Sequence, residues 1–458
     1  MLKRILSAVI AVSLVMGMCS CSHSSSSEPS PGQPDSSFAE PAEPTEPDVP
    51  IKPDPVPQGD VIDLTSDLQF TPMPNDHSKT YDAEFIKGIG GFSTELFKNT
   101  VKDDLSNGEK NTLVSPASVA FALGMTENGA GGKTLEQMQN VLCKGVDTDK
   151  FNENMKRWMS RSLTLQSENS RLDFANAVWV NDKGGITPTQ QFAKVCKEMY
   201  NASVFRSEFN DKTAADINNW VDQKTNGMIP DIIDGFEGNE ASCLLNCAAF
   251  DAKWIKPYEE SQIKQNEKFT NAKGEEVKCT MLESVESDYI ENGRATGFVK
   301  RYNGKYSFMA VLPNEDKSIG DFVSALDFDE LSELYESRKQ NVDVYAKLPQ
   351  FKFDYSSELG NTLKNMGMSD AFSAGADFSN MFENAQMKID RVIHKTHIEL
   401  DAQGTKAAAA TAVTNRNMAM QKEDPRTVHL DRPFVFAIMD TELGVPVFIG
   451  TVCDPTVQ

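Results

Sequence analysis

The chain has 458 residues, of which 39% are hydrophobic and 24% are charged, which allows one large domain or two ordinary ones with a full-sized core. Its net charge of −22 provides no basic field for phosphate backbones, which argues against nucleic acid as a partner. The eight cysteines show no C-x-x-C pairing, so neither a zinc site nor a disulfide framework is indicated, and buried free thiols are expected.

The first 21 residues have the layout of a signal peptide. Lys3 and Arg4 precede the apolar run Ile5 to Val15, which is shorter than the roughly 20 residues that span a bilayer. Cys19 or Cys21, followed by a serine tract, resembles the lipidated cysteine of a bacterial lipoprotein; cleavage and release without lipid is the alternative. We expect an extracellular protein, secreted or lipid-anchored at the cell surface, that meets the membrane only through such an anchor.

Residues 22–75 are predicted to form a linker, and residues 76–458 a folded domain. The linker is rich in Ser, Pro and Glu, a composition that cannot bury a core and favours an extended, polyproline-like chain. It would hold the domain away from a cell surface.

The first part of the domain is predicted to be mainly helical. Apolar residues recur at helical spacing from Phe85 to Phe97, and a second apolar helix covers Val119 to Met125. Asn128 to Thr134 looks like a phosphate-binding loop, but Glu127 stands where that motif needs its first glycine. A glycine turn is favoured, with Thr134 capping a helix whose apolar face is Leu135, Met138 and Leu142.

Strands dominate the later part. Leu172 to Val180 and Leu244 to Trp254 are apolar on both faces, as in the buried strands of a central sheet. Asn303-Gly304 predicts a hairpin, and Asn341 to Phe353 predicts one long strand. Because helices come first and strands later, without βαβ alternation, the predicted class is α+β.

Strands also bracket an alanine-rich segment, Gly404 to Val413. The run Met387 to Leu400 precedes it, and Pro433 to Asp440 with Val445 to Val452 forms a predicted hairpin after it. Composition alone favours a helical turn or loop, because Ala is the best helix former. The alternative is a segment that can also become a strand, since its side chains are small on both faces except at Lys406.

An ordered set of short strings resembles the serpin family from about residue 81 to the end. The strings include Asn111-x-x-x-Ser115-Pro116-x-x-Ser118, Gly129 to Thr134, Ile217-Asn-Asn-Trp-Val221, Lys253-Trp254, Ala376 to Ser379, His394-Lys-Thr396, Gly404-Thr405 and Arg432-Pro433-Phe434. The resemblance implies a serpin fold with three β-sheets surrounded by about eight or nine helices. It also implies an exposed reactive-centre loop between a strand of the central sheet and the C-terminal strands.

The function implied is that of a serine protease inhibitor rather than an enzyme, without cofactor or metal. A target protease, elastase-like or chymotrypsin-like, would cleave the loop of a monomeric inhibitor, form an acyl-enzyme and be trapped as the loop enters the central sheet. Two alternatives stay open. The chain could be a non-inhibitory serpin acting as a binding or surface protein, or it could inhibit trypsin-like or cysteine proteases.

The resemblance also assigns site residues, and the predicted reactive bond is Met418-Ala419, fourteen residues beyond the hinge glycine, with Arg416-Asn417 as the competing bond. The other sites are a hinge (Gly404, Thr405, Ala407, Ala408, Ala409 and Ala410), a polar shutter cluster (Ser115, Ser118, Asn246 and His394) and a breach aromatic (Trp254). Without the resemblance, Ser115 would be a helix cap and His394 and Trp254 ordinary core residues. Ala402 and Lys406 depart from the family, which usually has Glu at both positions.

Overall fold

A computed structural model describes residues 55, 57, 60–74, 80–106, 110–183, 185–238, 240–382, 387–406 and 423–457. Within these ranges the helices are α1 (Ala83–Ser106), α2 (Pro116–Glu127), α3 (Gly132–Cys143), α4 (Thr148–Thr164), α5 (Gln190–Tyr200), α6 (Asp211–Lys224), α7 (Ile319–Ser324), α8 (Phe328–Glu336) and α9 (Gly360–Asn365). None of these helices is both long and apolar enough to cross a membrane.

Sixteen strands occur in the same ranges. The first eight are β1 (Ile62–Asp63), β2 (Thr112–Val114), β3 (Ser170–Asn181), β4 (Ser203–Ser207), β5 (Ser242–Lys253), β6 (Ile263–Thr270), β7 (Glu276–Glu291) and β8 (Ala295–Arg301). The others are β9 (Tyr306–Pro313), β10 (Lys339–Pro349), β11 (Phe351–Glu358), β12 (Arg391–Leu400), β13 (Gly404–Thr405), β14 (Arg426–His429), β15 (Phe434–Asp440) and β16 (Val445–Val452). The α+β class is confirmed.

The central sheet contains the predicted buried strands. Its order is β1-β4-β3-β5-β13-β12-β11. β5 also pairs directly with β12, in parallel, where Cys243–Ala249 faces Arg391–His397. β13 is antiparallel to both and lies between them near the C-terminal end of β5. β13 therefore separates β5 from β12 near one end of the sheet, while the two strands pair directly with each other along the rest of their shared length.

The second sheet has two parts, where the resemblance implies two separate sheets. Its order is β14-β10-β7-β8-β9-β15-β16-β2, with β6 also on β7. The first part of the long strand β7 pairs with β6 and β10, and its last residues pair with β8. The two parts of this sheet are thus continuous through β7.

Two local predictions need correction. The predicted single strand Asn341 to Phe353 is two strands in different sheets, because β10 pairs with β7 and β11 pairs with β12. The apolar alternation shifts by one residue at Gln350, from Ala346 and Leu348 before it to Phe351 and Phe353 after it, and this shift marks the change of sheet. Thr134 does not cap α3, since Gly131 is the N-cap residue. Its hydroxyl instead donates to Asp370 Oδ2 at 2.6 Å and accepts from the backbone N–H of Asp377 at 2.9 Å.

Part of the predicted linker belongs to the folded body. Ile62 and Asp63 form β1 on the edge of the central sheet, paired with Arg206 and Phe205 of β4. Farther along, the backbone N–H of Met73 donates to the Ser160 hydroxyl at 2.9 Å. The predicted domain start at residue 76 is therefore too late for these contacts. The apolar residues Val61, Leu64 and Phe70 pack against the core, and they were the sequence signal that the folded body begins before residue 76.

The cysteine prediction holds for the part of the chain that the structure describes. None of the six cysteines there is in a disulfide bond. Five are buried, and Cys279 is half-buried. Burial is the first cause of the raised pKa of five thiols, which for Cys279 is raised to about 11; the others are Cys143, Cys196, Cys243 and Cys247. They behave as small apolar core residues rather than as nucleophiles.

Candidate functional site

The first two residues of the predicted hinge form β13 and lie inside the central sheet. Gly404 pairs with Lys253 and Thr405 with Ala252 of β5. On the other side, Thr405 pairs with Leu400 of β12. Both hinge residues are buried. The hinge therefore starts between two strands that pair with each other farther down the sheet.

Gly404 is required by the close approach of β13 to β5. A Cβ atom at this position would lie 2.2 Å from the carbonyl oxygen of Ala252 and 2.7 Å from the Cα of Lys253. Both are backbone atoms of a central strand, which can yield only if the strand itself shifts. Glycine thus allows the hinge to enter the sheet at this point.

Thr405 is held by an aromatic stack. Its hydroxyl lies 2.7 Å from the hydroxyl of Tyr302, and both side chains are fully buried. The Tyr302 ring stacks on Trp254, with the centroids 4.1 Å apart and the planes 12° from parallel. Trp254 Nε1 donates to the carbonyl oxygen of Asp401 at 3.1 Å. The predicted breach residue therefore contacts the segment that leads into the hinge.

Ala402, the first departure from the family, is buried beside this stack. Its carbonyl oxygen accepts a hydrogen bond from the backbone N–H of Tyr258 at 2.8 Å. Lys300, also buried, lies over the rings of Tyr258 and Trp254 and pairs with Glu286 at 2.7 Å. The carboxylate that pairs with this buried cation thus comes from β7 and not from the hinge segment.

Lys406, the second departure, is half-exposed at the end of β13. Its backbone N–H donates to the carbonyl oxygen of Glu399 at 2.7 Å, and its positive φ of 46° turns the chain after the strand. Burial raises the pKa of the Asp251 carboxyl, and the nearby Lys406 charge partly offsets that effect. The side chain is therefore not buried among apolar groups, as expected for a long cation at this position.

The four residues of the predicted shutter cluster meet where β5 and β12 pair directly. Asn246 and His394 are register partners across these strands. His394 Nδ1 lies 2.5 Å from Asn246 Oδ1, and Nε2 accepts from the backbone N–H of Ser115 at 3.0 Å. The Ser118 hydroxyl donates to the carbonyl oxygen of Cys247 at 3.1 Å. The cluster ties the start of α2 to both strands where they pair directly with each other.

The geometry assigns a neutral imidazole to His394. Nε2 faces a backbone donor, so it must be unprotonated, while Nδ1–H faces the Asn246 carbonyl oxygen. Burial lowers the pKa of His394 to about 3, well below its usual value of 6.5. The ring therefore stays neutral near pH 7 and keeps both contacts.

The cap interpretation of Ser115 also holds. Its hydroxyl oxygen accepts from the backbone N–H of Ser118 at 3.2 Å and donates to the carbonyl oxygen of Val447 at 2.8 Å. Sequence reasoning missed Asn176 of β3, the register partner of Asn246, whose Oδ1 lies 3.5 Å from the Ser118 hydroxyl. A polar amide within an otherwise buried apolar strand is the signal that could have identified it.

Several predicted site residues lie outside the described part of the chain. These are Ala407, Ala408, Ala409 and Ala410 of the hinge, the bonds Met418-Ala419 and Arg416-Asn417, and the N-terminal Cys19 and Cys21. The reactive bond and the lipidation site stay predictions.

The chain is similar over most of its length to one family of known proteins. The profile of the family described as serpin (serine protease inhibitor) matches residues 87–455. An uncharacterized serpin-like protein of Thermococcus kodakarensis is 32% identical, over 81% of this chain and 85% of its own length. Thyroxine-binding globulin of Mus musculus is 27% identical, over 84% of this chain and 92% of its own length.

A solved structure gives the same result. The native state of tengpin, a thermophilic serpin, is 36% identical, with a TM-score of 0.78 over 86% of this chain and 99% of that chain. The family match covers most of the chain, and the structural match covers 86% of it, which confirms the predicted serpin fold. The chain therefore belongs to the serpin family.

Proposed function

We propose that the protein inhibits serine proteases as a suicide substrate, trapping the acyl-enzyme by inserting its cleaved loop into the central sheet. The observation that carries this proposal is β13, whose two residues already pair with β5 on one side and β12 on the other. The residues that follow are mostly alanine, and small side chains can enter a packed sheet without clashes. Both features favour a segment that can become a full strand.

The chemistry belongs to the protease, and the inhibitor supplies the peptide bond. The serine oxygen of the protease attacks the carbonyl carbon of Met418, the Met418-Ala419 bond breaks, and the amine of Ala419 leaves with a proton. An ester joins the inhibitor to the protease. Water would normally hydrolyse that ester, so inhibition depends on insertion being faster than deacylation.

Backbone pairing supplies the driving force for insertion. Seven register pairs between β5 and β12 must separate. A new central strand of about ten residues forms about twenty hydrogen bonds, so about a dozen are gained overall, worth on the order of 10 kcal/mol at roughly 1 kcal/mol each. The shutter cluster stands in the middle of the separating ladder, so it would set how readily the two strands part.

The proposed specificity is elastase-like or, second, chymotrypsin-like. Met418 is an unbranched apolar side chain that fills small or hydrophobic specificity pockets, and a small residue follows it. Cleavage at Arg416-Asn417 would suit a trypsin-like pocket, but it shortens the inserting segment by two residues, roughly 7 Å. Mass spectrometry of the released C-terminal fragment separates the two, because it starts at Ala419 in the first case and at Asn417 in the second.

The test of the proposed function is incubation of the purified protein with elastase-, chymotrypsin- and trypsin-like proteases and with a papain-like cysteine protease. We expect a complex with an elastase-like enzyme that survives boiling in detergent and runs at the summed mass of one protease and one inhibitor without its C-terminal fragment. Loop cleavage by every enzyme without such a complex would favour a non-inhibitory serpin. Thyroxine-binding globulin is a relative named for a ligand, so the specific form of that alternative is a ligand-binding protein.

We also propose that the protein is a monomer outside the cell, secreted or held at the surface by a lipid on Cys21 or Cys19. Support comes from the N-terminal apolar run and the serine-rich linker. Metabolic labelling with a fatty acid, compared between the natural chain and a Cys19→Ser, Cys21→Ser variant, tests the anchor. Label that persists in the variant would refute this assignment.

A further inference from the structure

The chain reverses its direction between β12 and β13, and this reversal is held by hydrogen bonds within residues 401–404. Asp401 Oδ1 accepts from the backbone N–H of Gln403 at 2.7 Å and from that of Gly404 at 3.1 Å. The backbone N–H of Asp401 donates in turn to the carbonyl oxygen of Gly404 at 2.8 Å. One carboxylate thus satisfies the donors that the turn leaves unpaired, and it fixes the direction in which the chain re-enters the sheet.

The outer side of this reversal is attached to the chain that follows β5. The backbone N–H of Trp254 donates to the carbonyl oxygen of Gln403 at 2.9 Å, and the backbone N–H of Tyr258 donates to that of Ala402 at 2.8 Å. Together with the bond from Trp254 Nε1 to Asp401, these contacts use the carbonyl groups of three successive residues. The turn therefore cannot move away without leaving several buried groups unpaired.

The far end of the reversal is attached through a side chain. Thr405 is the last residue of β13, and its hydroxyl pairs with that of Tyr302 inside the aromatic stack. Loss of either hydroxyl would leave the other buried without that partner, which is unfavourable. Asp401 and Tyr302 thus hold opposite ends of the same two-residue strand.

We propose that Asp401 and Tyr302 are positioning residues that keep the first reversal of the inserting strand formed in the intact protein. Starting a strand requires fixing several backbone dihedrals before ladder bonds repay the lost entropy. Because the reversal is already formed, insertion after cleavage only has to extend the existing strand β13, in the correct direction and register. This inference rests on the proposed inhibitory function, because the advantage lies in the competition between insertion and deacylation.

The test uses the full chain and four variants. Asp401→Ala removes the acceptor of the turn, and Asp401→Asn keeps an oxygen acceptor in the same place. Tyr302→Phe removes the hydroxyl that faces Thr405. The matched control is Tyr335→Phe, which removes a buried hydroxyl that pairs with Ser307 at 2.9 Å outside the hinge.

Two measurements are made on each protein. Hydrogen exchange of the backbone amides of Gly404 and Lys406 is followed without protease, and the moles of inhibitor consumed per mole of protease are measured with an enzyme that forms the complex. Asp401→Ala and Tyr302→Phe should exchange about fivefold to tenfold faster at these amides, as expected for loss of one hydrogen bond, and should consume more inhibitor. Asp401→Asn and Tyr335→Phe should behave like the natural chain.

The outcomes separate this inference from the proposed function. Unchanged exchange in both Asp401→Ala and Tyr302→Phe overturns it, and so does faster exchange with unchanged inhibitor consumption. If the natural chain traps no protease, the proposed function fails, while the exchange data still decide whether these two residues hold the reversal. Melting temperatures of all variants check that each one is folded.

Discussion

Substitution of Thr405 by arginine should convert the protein from inhibitor to substrate. Thr405 has no exposed surface, and its hydroxyl is 2.7 Å from that of Tyr302. An unpaired arginine there carries an effective desolvation penalty of several kcal/mol, and the orphaned Tyr302 hydroxyl adds about 1–3 kcal/mol. Against an insertion energy on the order of 10 kcal/mol the overall reaction stays favourable. Because the charge would first leave the sheet in the intact variant, insertion must begin by burying it again, and this step slows about tenfold for every 1.4 kcal/mol, so deacylation overtakes it.

The assay for Thr405→Arg is the stoichiometry of inhibition with an elastase-like protease, read together with the cleaved and complexed bands on a denaturing gel. We expect at least about tenfold more inhibitor to be consumed per protease molecule, nearly all of it cleaved, as a penalty above about 1.4 kcal/mol implies. Lys406→Arg is the matched control, because it places the same side chain one residue later at a half-exposed position. Equal trapping by Thr405→Arg and the natural chain would refute the insertion mechanism.

Three further predictions concern the hinge and two buried titratable groups. Gly404→Ala should lower the free energy of unfolding by about 1–3 kcal/mol in urea titration, because its Cβ would press on β5; no change would contradict the close approach. Burial raises the pKa of Glu127 to about 7, so its stability contribution is lost as pH rises from 4.5 through 7. Glu127→Gln should therefore add about 2–3 kcal/mol at pH 8 and nothing at pH 4, and an equal effect at both would be contrary evidence. Because burial lowers the pKa of His394, the neutral ring contributes fully to stability above about pH 6.5, and this contribution is lost as the pH falls toward 3. Between pH 6.5 and pH 5 the free energy of unfolding of the natural chain should fall by about 2 kcal/mol, and His394→Gln should abolish this fall. An unchanged pH dependence in the variant would argue against the neutral ring.

Local patterns predicted the parts of this fold that depend on nearby residues. The apolar runs that became β3 and β5, and the hairpin at Asn303-Gly304 between β8 and β9, follow from side-chain periodicity and turn chemistry. Gly304 has a positive φ of 82°, as such a turn requires. The shutter cluster was different, because Ser115 and His394 are 279 positions apart and only the resemblance to a family brought them together.

The unpredicted features depend on long-range or backbone contacts. Tyr302 is an ordinary aromatic next to a turn until the fold places Thr405, 103 residues away, against its hydroxyl. Asp401 forms a local turn with Gln403 and Gly404, but the sequence does not show that this turn packs against Trp254 and Tyr258. The change of sheet after β10 and the edge pairing of β1 likewise depend on which strand lies alongside, a property of the whole molecule.

The central claim is that the cleaved loop becomes a strand of the central sheet, and denaturant unfolding of the cleaved protein tests it most directly. The loop is cut with a protease that does not form a complex, and the two fragments are kept together. We predict that the cleaved protein unfolds at markedly higher denaturant than the intact protein, by a free energy on the order of 10 kcal/mol from the new ladder bonds. A cleaved protein that unfolds at the same or a lower denaturant concentration would contradict the account.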